Sequence, residues 1–517
     1  MPFSSESGKQ YIKDLNLTGE KILDVGAGCG TYRKLLPNLG THWTAVEVWE
    51  PYIREYGLNS MYNEVIIEDV RKIDFAKYDI AFVGDVLEHM TELEAINLVT
   101  KLKECARTIV VSIPLGYYPQ DEYAGNPYEK HIEDHWTHDR VLSAFGKPWA
   151  HTIDKEIGIY VYRKLKVAIY AISKNEEMFI KQFCESSKDA DLVCIADTGS
   201  TDNTIKLAKE HGAIVHNICI TPWRFDKARD SALSLIPRDI DICIALDLDE
   251  MLQPGWRQEV ERLWTNKITR LEYKFDWGSG IVFYSGKIHA RHGYHWHHPC
   301  HEYPRPDGRV PEVWAHTDKL LITHHPDPTK SRGQYLDILK LAIQEDPLCP
   351  RNAFYYAREL TFYSKWTEAI TALNKYLAMP EAVWVNDRTY AMRLLGKCYE
   401  KLSDSTKALK WYRLACAEAP NTREPWVDIA MYFYKTGKWL DCFTSVSNAL
   451  LIVNRELAYT SDPESWGFKP YDLGAIAAWN LGWVELATEY GEKAVELEPT
   501  DPRLKTNLKY YKGELVC

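Results

Sequence analysis

Two carboxylates one residue apart, Asp247 and Asp249, close the apolar run IDICIALDLDE. Alternation along a strand sends both side chains to one side. A pair of hard oxygen ligands at that spacing suits a divalent cation, Mn2+ or Mg2+. Nearer the N-terminus, Leu23 to Gly30 reads LDVGAGCG, and Gly26, Gly28 and Gly30 let a backbone loop approach a bound cofactor. The spacing G-A-G-C-G is not the G-x-G-x-x-G of dinucleotide loops. Glu47, ending the next apolar run, is set to accept hydrogen bonds from ribose hydroxyls. Two histidine-bearing segments add titratable groups. In EKHIEDHWTHD, His131, Glu133, His135 and His138 read equally as proton acceptors for group transfer and as a solvated loop around Trp136. HARHGYHWHHPCHEYP holds six histidines from His289 to His301; a zinc site with Cys300 stays open there, although the spacing fits no standard ligand pattern.

These groups need elements to carry them. Apolar runs at Lys21 to Gly28, Thr41 to Val48, Tyr78 to Val86 and Arg107 to Pro114 are separated by stretches of helical length, which predicts βαβ units and a buried parallel sheet. A strand ends near Tyr162 and another apolar run starts near Val167, so two sheets abut with almost no linker. In the second set, Asp197 ends the strand LVCIAD, where it can accept from a base or ribose. Gly199 permits the turn, and Asp202 reads equally as a ligand group and as the cap of a helix beginning near Asn203. Beyond Lys330 four helical segments repeat one theme, an aromatic-rich helix followed by a helix with small residues. Ala369, Ala408 and Ala494 are expected at tight helix contacts, and the Trp and Tyr stripe reads as packing. A chain of 517 residues at about 100–200 per domain implies three domains. We expect them at 1–164, 165–329 and 330–517, a multidomain α/β plus all-α protein.

Composition narrows the setting. At 45% hydrophobic and 26% charged, the chain is ordinary globular material with no run apolar enough to cross a membrane. The start MPFSSESGKQ has no signal-peptide character, so a cytoplasmic location is expected. Twelve cysteines without a CxxC pair read as buried free thiols. A net charge of −11 opposes nonspecific attraction to phosphate backbones, leaving nucleic acid open as an acceptor but not indicated.

Over roughly the first 164 residues, LDVGAGCG, Glu47, Asp69 in IIEDV and the segment DVLEHM from Asp85 to Met90 together resemble the class I S-adenosylmethionine-dependent methyltransferases. The resemblance implies a Rossmann-like sheet, with Asp24, Gly26, Gly28, Gly30 and Glu47 as contacts to S-adenosylmethionine and Asp69 near its adenine. From about Lys166 to Pro328 the chain resembles the family-two glycosyltransferases of GT-A fold. The matching features are Lys174 to Glu177, the D-x-G-S-x-D motif from Asp197, Arg229, the D-x-D pair, and a W-x-x-x-x-H-E pattern at Trp296, His301 and Glu302. That resemblance implies a nucleotide-sugar donor held by Glu177, Asp197, Arg229 and Asp247, a metal on Asp249 and His301, and His324 or His325 near the diphosphate. An inverting displacement needs a carboxylate base; Glu302 and Glu250 are the candidates, Glu250 also reading as a group that orients the metal's ligands, and the stereochemistry stays open. The tail is similar to tetratricopeptide repeats of about 34 residues.

The leading expectation is metal-assisted sugar transfer to a hydroxyl of a glycan, protein or modified nucleobase, with methylation of the same product open. The alternatives are a methyltransferase that uses the second module for recognition, and a non-enzymatic repeat adaptor. The helical tail is expected to offer a concave face for an acceptor or for a second copy of the chain.

Overall fold

The computed structural model describes residues 6–327, 333 and 335–515. They form two compact units, Met1–Lys166 with Glu261–Ile268, and Val167–Val260 with Thr269–Cys517. Where three segments are expected, the helical segment shares a unit with the second sheet, and the expected division at 329/330 lies outside the described residues. Among the described residues no helix is long and apolar enough to cross a membrane.

The first unit is built on seven strands: β1 (Lys21–Val25), β2 (His42–Glu47), β3 (Glu64–Ile67), β4 (Tyr78–Gly84), β5 (Ala106–Pro114), β6 (Ala150–Asp154) and β7 (Ile157–Arg163). Their order in the sheet is β3-β2-β1-β4-β5-β7-β6, parallel from β3 to β5, with β7 antiparallel to both its neighbours. Period two sorts the side chains onto two buried faces. Leu23, Val25, Ala81, Val83, Ile109 and Val111 pack in one cluster, while Ile22, Ala45, Ile80, Phe82 and Val110 pack in another. Both faces are covered, so the strands are near-continuous apolar runs, the pattern that a buried parallel sheet requires. Each fully buried Val, Leu or Ile contributes about 1.5–3 kcal/mol. The helix Glu92–Cys105, which covers the first face through Ala95, Leu98, Val99 and Leu102, starts with a capping box between Thr91 and Glu94.

The second unit has an eight-stranded sheet in the order β10-β9-β8-β11-β14-β13-β17-β12 and a separate ribbon β15-β16. The strands are β8 (Val167–Ser173), β9 (Leu192–Asp197), β10 (Ile214–Asn217), β11 (Ile242–Ala245), β12 (Glu250–Leu252), β13 (Arg270–Gly278), β14 (Ile281–Ala290), β15 (Tyr294–His297), β16 (Tyr303–Pro306) and β17 (Trp314–His324). β8 to β11 are mutually parallel, and β14 turns the sheet antiparallel. Helices then follow in pairs, including Val385–Lys401 with Ser405–Glu418 and Lys469–Asn480 with Val484–Leu497. Close approach depends on missing side chains: a Cβ on Gly396 would stand 2.6 Å from the Tyr412 ring, and one on Gly474 would stand 2.4 Å from Tyr490. Ala369, Ala408 and Ala494 are buried at such contacts.

Candidate functional site

In a doubly wound sheet, a crevice opens where neighbouring crossovers run in opposite directions. In the first unit that point lies between β1 and β4, and a cavity of about 170 Å³ opens beyond their carboxyl ends. The loop after β1 supplies Gly26, Ala27, Gly28 and Cys29, the end of β2 supplies Glu47, and the turn after β3 supplies Glu68, Asp69 and Arg71. The segment after β4 supplies Asp85, His89 and Met90, and Asn126, Tyr128 and Glu129 close the far side.

Glycine is required in this loop. Gly26 sits at φ +64°, and a Cβ there would meet Val86 Cγ2 at 2.4 Å. The Gly26 and Ala27 N–H groups donate to Val46 O, which folds the loop back onto β2. Glu47 holds the rest: one carboxylate oxygen accepts from Gly28 N and the other from Trp49 N, both at 2.9 Å. Burial raises the Glu47 carboxyl and nearby Glu129 raises it further, against the two N–H donors, which lower it. Asp69 caps the turn Val70–Lys72 through Arg71 N and pairs with the Arg71 guanidinium, whose hydrogen bonds hold its carboxyl below the ordinary range. Asp85 takes a positive φ of 53° and accepts from Ser112 Oγ at 3.2 Å; burial lifts its carboxyl to about 7. Tyr52 Oη donates to Glu129 at 3.0 Å. Glu47, Glu68, Asp69, Asp85 and Glu129 against Arg71 alone leave the cavity with an acidic lining.

Of the residues expected to contact a cofactor, Gly26, Gly28, Glu47 and Asp69 line this cavity, while Asp24 and Gly30 do not. Strand parity explains Asp24: it falls on the face of Ile22, is 1% exposed, and accepts from Tyr62 Oη at 2.6 Å. Burial pushes its carboxyl up to about 7, with Tyr62 lowering and Glu47 raising it. Gly30, at φ +75°, precedes the helix Thr31–Leu35 and faces Met61 and Tyr62. Tyr52, Asn126, Tyr128 and Glu129 carry no periodicity or motif that marks them as cavity residues. Asp85 and His89 lie inside DVLEHM, and their position directly after β4 is the signal that marks them as cavity residues. His131 is buried, and His135 and His138 bond Asp134 and Tyr160.

In the second sheet the strand order reverses between the parallel neighbours β8 and β11, and acidic residues gather at the carboxyl ends there. Asp197 is 1% exposed and accepts from Ser173, Gly199 N and the Ser200 N–H and hydroxyl. Burial raises it, but those bonds prevail and hold it below the ordinary range. Glu177 accepts from Asn203 N and Nδ2 at 2.9 Å, and Asp202 caps Thr204 N and Glu177 N. Arg229, 2% exposed, donates to Asp247, to Glu302 at 3.1 Å and to Leu246 O. Lys287 reaches from β14 to Glu250 at 2.9 Å and to Asp247 at 3.4 Å. Desolvation opposes the Asp247 charge, but Arg229 and Lys287 hold its carboxyl well below the ordinary range; its side chain keeps 42% exposure. Burial raises Glu250, 2% exposed.

The expected metal pair finds other partners. Asp249 faces His324 Nε2 at 3.4 Å, whereas the His301 ring stacks on Tyr355 with centroids 3.9 Å apart. Among the described residues neither belongs to a group of three metal-ligating side chains. Trp296 donates to Tyr170 Oη, which also meets His289 Nε2, each at 2.8 Å. His289 is fully buried, burial pushes it down to about 4, and both its ring nitrogens are engaged, Nε2 with Tyr170 Oη and Nδ1 with Ala290 O at 2.8 Å.

Residues 23–110 match the family model described as a methyltransferase domain. The chain is similar to the N-terminal domain of EvdMO1 crystallised in the presence of SAH and D-fucose: 15% identity, 30% of this chain and 81% of that chain, TM-score 0.25. For the PH0226 protein from Pyrococcus horikoshii OT3 the values are 18%, 31%, 92% and 0.25. For an S-adenosylmethionine-dependent methyltransferase from Clostridium acetobutylicum ATCC 824 they are 14%, 30%, 87% and 0.24. The first unit therefore carries a methyltransferase domain on a Rossmann-like sheet.

Proposed function

We propose that this protein is an S-adenosylmethionine-dependent methyltransferase whose cofactor occupies the cavity between β1 and β4. The observation that carries the reading is the acidic cavity at the switch point of the domain that matches methyltransferases. A cofactor with a sulfonium and an ammonium group gains from the carboxylates of Glu47, Asp69, Asp85 and Glu129, whereas an anionic dinucleotide would be repelled. When bound, it supplies an electrophilic methyl group. Gly26 and Gly28 let the backbone come close, Glu47 keeps lone pairs for ribose hydroxyls, and Asp69 stands at the β3 turn for the adenine end. Proximity accounts for much of such a transfer. His89 faces the same cavity. Its Nδ1–H donates to Lys130 O at 3.1 Å. Equilibrium binding of labelled S-adenosylmethionine to the full chain tests the reading. Saturable binding, lost in Gly26→Ala, is expected, and no binding at millimolar cofactor sinks it.

A second reading, sugar transfer from a nucleotide-sugar with Mn2+ or Mg2+, draws support from one observation: Asp247 remains 42% exposed at the carboxyl end of β11. On this reading the donor displaces Lys287 or Arg229 from Asp247, and the metal displaces His324 from Asp249. A thermal-shift panel of UDP-, GDP-, CMP- and dTDP-sugars with and without Mn2+ decides it. A metal-dependent shift with one nucleotide class upholds transfer to a hydroxyl acceptor, and no shift with any of them removes it. On the methyltransferase reading alone, the second unit serves acceptor recognition.

A further inference from the structure

Beneath the wall of the cofactor cavity three side chains converge. Glu88, on the turn Leu87–His89, is 0% exposed, and neither carboxylate oxygen has a hydrogen-bond partner. His131 is 7% exposed; its Nδ1 lies 2.6 Å from Tyr118 O, and its Nε2 is buried without a partner. His89 Nδ1 lies 3.1 Å from Lys130 O. A carbonyl oxygen only accepts, so both imidazoles carry their proton on Nδ1 and direct the Nε2 lone pair elsewhere. One ligand atom from each of Glu88, His89 and His131, a carboxylate oxygen and two ring nitrogens, lies within 4.8 Å of the others. Backbone bonds hold the arrangement: Glu88 O accepts from Ile132 N at 2.8 Å and from Glu133 N at 3.0 Å, which ties the His131 segment to the Glu88 turn.

An unpartnered buried carboxylate beside two imidazole lone pairs is unstable as it stands. The Glu88 oxygens and His131 Nε2 are acceptors with no donor, and each costs about 1–3 kcal/mol when left so, more for a charge. Burial pushes the Glu88 carboxyl well above the ordinary range, and Asp85 and Glu129 push it further. A cation removes both deficits at once, and His89 stands within reach as a third ligand. We propose that Glu88, His89 and His131 bind a divalent transition-metal ion. Two nitrogens and one oxygen select Zn2+, Co2+, Fe2+ or Mn2+ over Mg2+ or Ca2+. Imidazoles that donate their other N–H to backbone carbonyls are the usual outer support of such an ion. Three protein ligands leave a coordination position open, as in catalytic rather than structural sites.

Because His89 also lines the cavity, that open position would be available to an acceptor hydroxyl, whose proton would pass to solvent more easily as the methyl group moves from the sulfonium to the oxygen and leaves a neutral thioether. This second step rests on the methyltransferase reading; the metal site itself does not.

The test uses chelator-treated full-length protein titrated with Co2+, followed by visible d–d absorption and by metal analysis after dialysis. S-adenosylhomocysteine affinity is measured on the same samples. Wild type is expected to take up a single equivalent that Zn2+ displaces. Glu88→Gln, His131→Ala and the partly exposed His89→Ala should each weaken uptake at least tenfold while retaining the wild-type melting profile. Failure of wild type to bind overturns the proposal, as does uptake unchanged in a variant that keeps its melting profile. Metal uptake without S-adenosylhomocysteine binding upholds the site and removes the methyltransferase reading; the converse removes the site alone.

Discussion

Asp24→Asn isolates a carboxylate that the fold holds against its own charge. In the native state burial lifts the group from 3.8 to about 7, and in the unfolded chain it titrates as an ordinary aspartate. Between those values the folded protein binds a proton that the unfolded chain releases, so stability is present below pH 4 and falls as pH rises towards 7. At about 1.36 kcal/mol per unit, the loss is on the order of 4 kcal/mol, more than half of it between pH 5 and 8. Asparagine keeps an oxygen for Tyr62 Oη and has no proton to lose. Its amide adds a buried donor that costs about 1–3 kcal/mol if unmatched, a constant that pH does not move. The measurable quantity is therefore the difference between variant and wild type, which should grow in the variant's favour by about 2–3 kcal/mol from pH 5 to 8. Urea unfolding of both proteins across that range supplies it, and S-adenosylhomocysteine affinity should stay within about twofold because Asp24 does not line the cavity. Parallel pH profiles would refute the assignment of Asp24 as a buried, proton-holding structural group. A large loss of affinity would return it to the cofactor.

Glu47→Gln sets one amide N–H against the Gly28 or Trp49 N–H, and calorimetry should record at least a tenfold loss of S-adenosylhomocysteine affinity with little change in melting temperature. Asp247→Asn leaves Lys287 and Arg229 short of one anion. Because Asp247 is 42% exposed, the cost should be about 1–3 kcal/mol rather than the 3–5 of a fully buried pair, read by denaturant midpoint. Gly396→Ala gains about 1 kcal/mol of helix propensity but drives a methyl to 2.6 Å from Tyr412; overpacking of about 1–3 kcal/mol should prevail and lower the melting temperature without altering cofactor binding.

The strands that carry the first site were legible because burial on both faces writes them as unbroken apolar runs, and the glycines because the loop after β1 needs a positive φ at Gly26 and Gly28. Asp24 was expected beside the cofactor with its neighbours in the motif, but parity turns it inward to Tyr62 and away from the cavity lining, a contact that no local pattern encodes. The D-x-D pair shows the same limit. Asp247 was expected to hold a donor and Asp249 a metal, and the partners they have in the structure, Arg229 and Lys287 for Asp247 and His324 for Asp249, come from elements that lie apart in sequence. His131 stood in a segment with two equal readings, and only the tertiary tie to Glu88 O decides what it faces. The return of Glu261–Ile268 to the first unit has no sequence signal, because its helical and turn character is the same wherever it packs.

The two N–H bonds to Glu47 bear on timing as well as affinity. A loop already closed on a carboxylate has surrendered its backbone freedom during folding, about 1–2 kcal/mol per residue, so none of that ordering remains to slow or weaken ligand entry. The amides of Gly28 and Trp49 should then resist deuterium exchange in ligand-free protein, an isotopic record of a loop set before its ligand arrives.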